Sequence, residues 1–181
     1  MIKQIMDKVL FLLKDNKGRI NYYRKQGIQI GEHCEIYKSV IFGSEPYLIE
    51  LGNFVRITDG VKFITHDGGM WVIRNLGYEL LADKFGAIVV GNNVHIGMDS
   101  IIMPGVKIGN NVVVGCGSVV TKDIPDNSIV AGIPARVIEK VEEYYLKNKD
   151  KIVLTKEMGS QEKRIYLLGQ RRRGGKLIWA I

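Results

Sequence analysis

Large aliphatic residues recur through the middle of the chain every six positions: Val90, Ile96, Ile102, Ile108, Val114 and Val120. A turn-like triplet follows each one, as in Gly91-Asn92-Asn93, Gly97-Met98-Asp99, Met103-Pro104-Gly105, Gly109-Asn110-Asn111 and Gly115-Cys116-Gly117. Two places before each aliphatic stands a smaller or β-branched residue: Ile88, Val94, Ser100, Val106, Val112 or Ser118. The same phase appears upstream as Leu51, Ile57 and Phe63, and earlier as Ile30, Ile36 and Phe42. Short strands joined by tight corners produce this pattern, because Gly and Asn tolerate the positive φ that corners need. Each aliphatic points inward and stacks on its counterpart a full turn away, so one unit buries its face only against its neighbours. A 3.6-residue helix is excluded, since Gly and Asn recur too often for a helix interior.

The repeat is broken twice. From Phe42 to Leu51 the step is nine, with extra residues around Glu45-Pro46-Tyr47. From Phe63 to Val90 it is 27, which predicts a long loop over residues 66–86 thrown out of the solenoid. Such loops are where binding and chemistry collect. At the N-terminus, Ile2, Ile5, Met6, Val9, Leu12 and Leu13 fall at helical spacing. A helical cap over residues 1–27, closing the open end of the solenoid, is favoured over membrane attachment. The repeating body spans residues 28–138. Residues 139–181 form a C-terminal region, helical over 138–150, with a basic tail at Arg171-Arg172-Arg173 that reads as loose or as a partner contact.

Charge adds a distribution to this picture. Residues 1–27 hold seven Lys/Arg and two Asp/Glu, residues 28–138 eight and eleven, and residues 139–181 eleven and six. The excess behind the net +7 is therefore at the two ends. The middle lacks the aromatic-interleaved basic stripe of a nucleic-acid binder. Basic ends suit an anionic surface or polyanion somewhat better, although a solvated surface is the commonest explanation and peripheral membrane contact the weaker one. Two cysteines far apart, Cys34 and Cys116, give no disulfide framework and point to a reducing cytoplasm. No signal-peptide pattern opens the chain, and no run approaches the ~18 apolar residues of a membrane span.

Three histidines can carry chemistry: His33, His66 and His95. His33 falls in a corner and reads as a surface residue. His66 stands where the regular wall stops, followed by Asp67-Gly68-Gly69. A histidine at the lip of a groove suits a general base of near-neutral pKa, and an ordinary surface histidine is the alternative. Glu45 and Asp67 are candidates to hold its tautomer, Glu45 being preferred because a sequence neighbour often points elsewhere; a backbone carbonyl is equally open. By phase His95 faces outward beside inward-facing Ile96. Trp71 and Tyr78 in the loop offer aromatic platforms for a sugar, or cover an apolar edge.

The stretch VRITDGVKFITHDGGMWVIR (55–74), together with GCGSVVTKDIP and AGIPARVI further on, resembles the hexapeptide-repeat acyltransferases, in particular the sugar and capsular-polysaccharide O-acetyltransferases. The similarity covers residues 28–138. It implies a mainly β fold, a single-stranded left-handed parallel β-helix of about five coils, with terminal helices and one inserted loop. It implies acetyl-CoA as the donor, a hydroxyl acceptor, His66 as the catalytic base, and the backbone amide near Met98 as the group facing the thioester oxygen. It places Cys116, Gly117 and Ser118 along the pantetheine arm, with Thr121 and Lys122 further on. Ile133 and Pro134 would contact the coenzyme, or merely end the β-helix, and Arg136 and Lys140 would meet the phosphates, as a guanidinium fork suits. Asp67, Trp71 and His95 would line the acceptor site; many relatives carry Trp where His95 stands, which changes its shape. The family is typically a homotrimer with sites between subunits.

Three rivals follow from the residues. A zinc enzyme would use the three histidines, but their spacings of 33 and 29 give no clustered ligand pair, so no metal is expected. A non-catalytic scaffold would not need His66 or the coenzyme block. A non-sugar acceptor, such as an antibiotic or serine, stays within the same class.

Overall fold

The structure, a computed structural model, describes residue 11 and residues 13–172. Strands β1 (Gln29–Ile30), β2 (Glu35–Ile36) and β3 (Ile41–Phe42) each begin a new face. The circuit repeats through β4 (Ile49–Leu51), β5 (Val55–Ile57) and β6 (Lys62–Phe63), then β7 (Ile88–Val90), β8 (Val94–Ile96) and β9 (Ile101–Ile102). A further circuit runs through β10 (Lys107–Ile108), β11 (Val112–Val114) and β12 (Val119–Val120). Stacking these circuits builds three sheets: a first face β1-β4-β7-β10, a second β2-β5-β8-β11 and a third β3-β6-β9-β12, all parallel.

The register is that of the six-residue pattern. Ile30, Leu51, Val90 and Ile108 pair in a column on the first face, and Phe42, Phe63, Ile102 and Val120 on the third. All are buried, as are the residues two places before each downstream aliphatic, Ser100 and Ser118 included. Those two serines are tolerated inside because both hydroxyls donate to the carbonyl of Gly115. At five of the six corners the third residue of the triplet has positive φ: Asn93 55°, Asp99 59°, Gly105 82°, Asn111 54° and Gly117 68°; Asp123, after Val120, does not. The leading glycine has a different task. A Cβ on Gly91 would lie 2.7 Å from the carbonyl oxygen of Gly109, so only glycine lets successive turns approach this closely.

The first turn presents unpaired strand edges, which are costly when covered. Helix α1 (Asn16–Lys25) supplies their partners from its side chains. The Asn16 amide donates to the carbonyl of Cys34 and accepts from the N–H of Ile36, behaving as one residue of a missing strand. Arg19, buried, donates to the carbonyl of Ile36, and Arg24 donates to those of Ile30 and Gly31. Tyr23 stacks edge-on to Phe42 at 4.7 Å, and Phe42 on Phe63 at 5.0 Å; burial raises the Tyr23 phenol to about 12. Helix α1 thus partners the open edge of the first turn. Of the predicted apolar stripe, Leu13 is exposed, and Ile2 to Val9 and Leu12 lie outside the described residues. Replacing Asn16 by Ala leaves two backbone groups without partners. We expect a stability loss of about 1–3 kcal/mol, read as a lower urea midpoint at unchanged m-value.

The other end differs from expectation. Instead of passing into a helix at 138, the chain forms a hairpin of β13 (Ser128–Gly132) and β14 (Ala135–Lys140) on the second face, with β14 antiparallel. β13 would otherwise be an open edge, and the strand that follows doubles back to pair with it. Helix α3 (Val141–Asn148) begins only after Lys140. The compact units are accordingly Met1–Glu142 and Glu143–Ile181. The second contains most of α3 and helix α4 (Ser160–Arg172).

Candidate active site

The loop over residues 66–86 leaves the solenoid at the edge between the third and first faces and is closed at its neck. Gly86 donates to the carbonyl of Thr65 at 2.9 Å, Asp67 to that of Lys84 at 2.8 Å, and His66 bridges Phe85. Within the loop, helix α2 (Met70–Asn75) carries Trp71, which is exposed. Arg74 pairs with Asp83 at 2.7 Å and Lys84 with Asp67 at 3.1 Å, so the loop is pinned by its own charges.

Both breaks in the repeat meet at His66. The three-residue excess in the first turn forms a 3-10 turn at Pro46–Leu48, which sets Glu45 beside the histidine one turn on. Nδ1 of His66 lies 3.4 Å from Oε2 of Glu45 and 3.2 Å from the Ser44 hydroxyl. The buried Thr65 hydroxyl donates to the same Glu45 oxygen at 2.6 Å. That hydrogen bond, with smaller help from Ser44 and His66, holds the Glu45 carboxyl below its ordinary range despite some desolvation. A proton on Nδ1, the nitrogen that faces Ser44 and Glu45, would leave the lone pair on Nε2; the imidazole side chain is 48% exposed. A base held by a carboxylate and open to solvent can take a proton from a bound hydroxyl.

Asp67, the other proposed partner, is committed elsewhere. The Gly69 N–H and the Lys84 ammonium engage its two oxygens and hold its carboxyl below the ordinary range. Thr65 and Ser44 were not legible as site residues. The available signal for Thr65 was a polar side chain continuing the inward alternation two places beyond Phe63.

The remaining candidates divide among other places. Met98 and Cys116, Gly117 and Ser118 stack on successive turns at the edge between the second and third faces, where the Gly117 N–H donates to the Met98 carbonyl at 2.7 Å. Gly132 donates to the Ser118 hydroxyl at 3.3 Å. Thr121 and Lys122 follow β12 on the same edge as His66, two turns on. Ile133 and Pro134 form the exposed tip of the β13–β14 hairpin, joined by a cis peptide bond. Arg136 and Lys140 lie along β14, with a guanidinium N–H of Arg136 donating to the carbonyl of Ala135 at 2.9 Å.

His95 is on the outer side of the second face, in register between Arg56 and Val113. Desolvation, then the Arg56 guanidinium, pushes it below the ordinary histidine value, so it favours the neutral form. It lines a shallow pocket of about 280 Å³ with Phe54, Arg56, Asn111, Val113 and Val141. Within one chain this pocket does not include His66. His33, on a corner, stacks on Phe54 at 4.7 Å. The three histidines therefore occupy three different places, and among the described residues no three His, Cys, Asp or Glu side chains gather as a metal site.

The family described as bacterial transferase hexapeptide (six repeats) matches residues 87–122. Protein CapG of Staphylococcus aureus is 55% identical over 164 residues, spanning 89% of this chain and 93% of that one. A maltose O-acetyltransferase from Clostridium difficile 630 has a crystal structure that superposes with a TM-score of 0.52 at 31% identity, over 74% of this chain and 81% of that one. A hexapeptide-repeat acetyltransferase from Vibrio cholerae O1 biovar eltor, solved with acetyl-CoA, superposes with a TM-score of 0.53 at 25% identity, over 74% and 82%. A three-sided parallel solenoid with a loop ejected beside His66 is thus the frame of a transferase. The chain belongs to the bacterial hexapeptide-repeat transferases.

Proposed function

We propose that the protein moves the acetyl group of acetyl-CoA to a hydroxyl of a sugar or polysaccharide precursor, directly and within a ternary complex. That it is an acetyltransferase using acetyl-CoA follows from its family and from relatives named and solved as such. The single observation that carries the mechanism is the His66–Glu45–Thr65 array at the neck of the loop. Nε2 of His66 takes the acceptor's hydroxyl proton as the oxygen attacks the thioester carbonyl. The tetrahedral oxyanion is met by the backbone amide near Met98. The carbon–sulfur bond then breaks, and the imidazolium returns its proton to the departing CoA thiolate.

Cys116 and Gly117 line the pantetheine arm, with Thr121 and Lys122 beyond, whereas Ser118, expected beside them, is fully buried and backs the corner from inside the solenoid. Ile133 and Pro134 contact the coenzyme, and Arg136 and Lys140 face its phosphates. Asp67, Trp71 and His95 border the acceptor. The solenoid is read as left-handed with about five turns, and the enzyme as cytoplasmic, in keeping with its free thiols.

A homotrimer with sites between copies belongs to the same reading. The base and the Met98–Cys116 corner stand on different edges of one chain, so a site using both takes one edge from each of two copies. The exposed Leu80 and Leu81 at the loop tip would then have a partner to cover them.

The test is acetyl-CoA turnover, followed as thiol release, against a panel of sugars and nucleotide-sugars. Release that depends on a saccharide supports the reading. Coenzyme binding with turnover only on an amine or an antibiotic replaces the acceptor class, and failure to bind acetyl-CoA replaces the enzyme by a scaffold.

Glu45 adds a pH signature. Because the fold lowers its pKa, its ionised form stabilises the folded state above the ordinary value of 4.5, and that contribution is lost as pH falls through the depressed value. Wild type should therefore exceed Glu45→Gln in urea midpoint at neutral pH, and the two should converge in acid.

A further inference from the structure

The segment after the solenoid has a composition that the transfer reaction does not use. Over residues 143–169 none is buried, and the large apolar side chains Tyr145, Leu146, Leu154, Ile165, Leu167 and Leu168 are all exposed. A unit that fully buries no apolar side chain gains little to offset the entropy of ordering its chain. From residue 143 onward the sequence also carries ten Lys/Arg against four Asp/Glu.

The two features coincide on α4. Arg164, Ile165, Leu168 and positions 171 and 172, both arginine, fall on one side of the helix at three-, four- and seven-residue spacings, with Leu167 at its border. Glu162, the acidic residue of this helix, falls on the other side with Tyr166.

We propose that this C-terminal unit docks on an anionic lipid surface, with α4 lying in the interface. Its aliphatic side chains enter the acyl boundary while Arg164 meets phosphate headgroups, the combination that holds interfacial helices. No helix of the described residues is long and apolar enough to cross a membrane. A second copy is the poorer occupant, because two such segments repel one another through their shared positive charge. Nucleic acid would satisfy the arginines but leave Ile165, Leu167 and Leu168 without hydrocarbon to enter.

The experiment is co-sedimentation of the full-length protein with phosphatidylcholine vesicles, with and without phosphatidylglycerol. Binding is expected only to the vesicles with phosphatidylglycerol, and is expected to weaken as salt is raised. Ile165→Ser/Leu168→Ser should lower vesicle affinity roughly tenfold or more. Arg164→Gln should lower it roughly fivefold. Both variants should keep wild-type acetyl transfer, which separates this proposal from the catalytic one, and far-UV circular dichroism should report an unchanged fold. Absence of binding to either vesicle overturns the proposal, as does equal binding to both. It also fails if the double variant instead breaks up the oligomer, measured by sedimentation, or abolishes binding to single-stranded DNA while vesicles are ignored.

Discussion

His66→Ala should lower kcat by about 10²–10⁴, the range for removing a general base, while the KM for acetyl-CoA stays near its wild-type value. The split follows from the geometry. His66 belongs to the edge with Glu45 and the loop neck, whereas Met98, Cys116, Gly117 and Ser118 stand on another edge, so truncating the imidazole leaves that corner intact. The stability cost should be small, because the ring is about half exposed and Thr65 still holds Glu45. Single-turnover thiol release with saturating acetyl-CoA, compared with direct binding of the coenzyme, makes the measurement. A variant that fails to bind coenzyme, or one that keeps full kcat, removes His66 from the role of base.

Phe63→Ala should cost about 3–5 kcal/mol, the largest single effect on stability expected in the solenoid. Phe63 is fully buried, stacks on Phe42 and lies in register with Ile102. Phe42 in turn meets Tyr23 of α1, so the ring is the third member of a stack joining the cap to two turns. The neighbouring turns are locked by ladder hydrogen bonds, as between Ile64 and the carbonyl of Ile102, and cannot collapse into the space left behind. Phe63→Leu should recover much of the loss. A urea titration shows it directly: a lower midpoint at unchanged m-value reports the lost packing. A loss below about 1 kcal/mol would mean that the stack is slack and the turns are held chiefly by their backbone ladders.

The two experiments rest on residues that were unequally legible. Phe63 lies on the six-residue period, and a period of that length leaves one physical solution: short strands, tight corners and an inward column of aliphatics. The inward residues, the positive-φ corners and the ejected loop could therefore be read from spacing, because stacking makes each turn's environment a copy of the next. The position of His66, where the period stops, was legible from spacing, whereas its reading as a base rested on the resemblance of residues 55–74. The end of the solenoid was less so: an isolated strand and a helix start look alike over residues 135–140, and what decides between them is the open edge of β13, which exists only once the sheet is built.

The sequence by itself determined the repeat, its faces, its inward column and the two places where it breaks. Tertiary structure alone decided which side chains those breaks bring together. It set Glu45 against His66 across one turn, turned Asp67 away to Lys84, recruited Thr65 from the interior and let Asn16 stand in for a missing strand. It also separated His95 from His66 within the chain. The reason is that periodicity records which way a residue faces, whereas a site depends on which turns lie one above another and on where each corner aims its side chains.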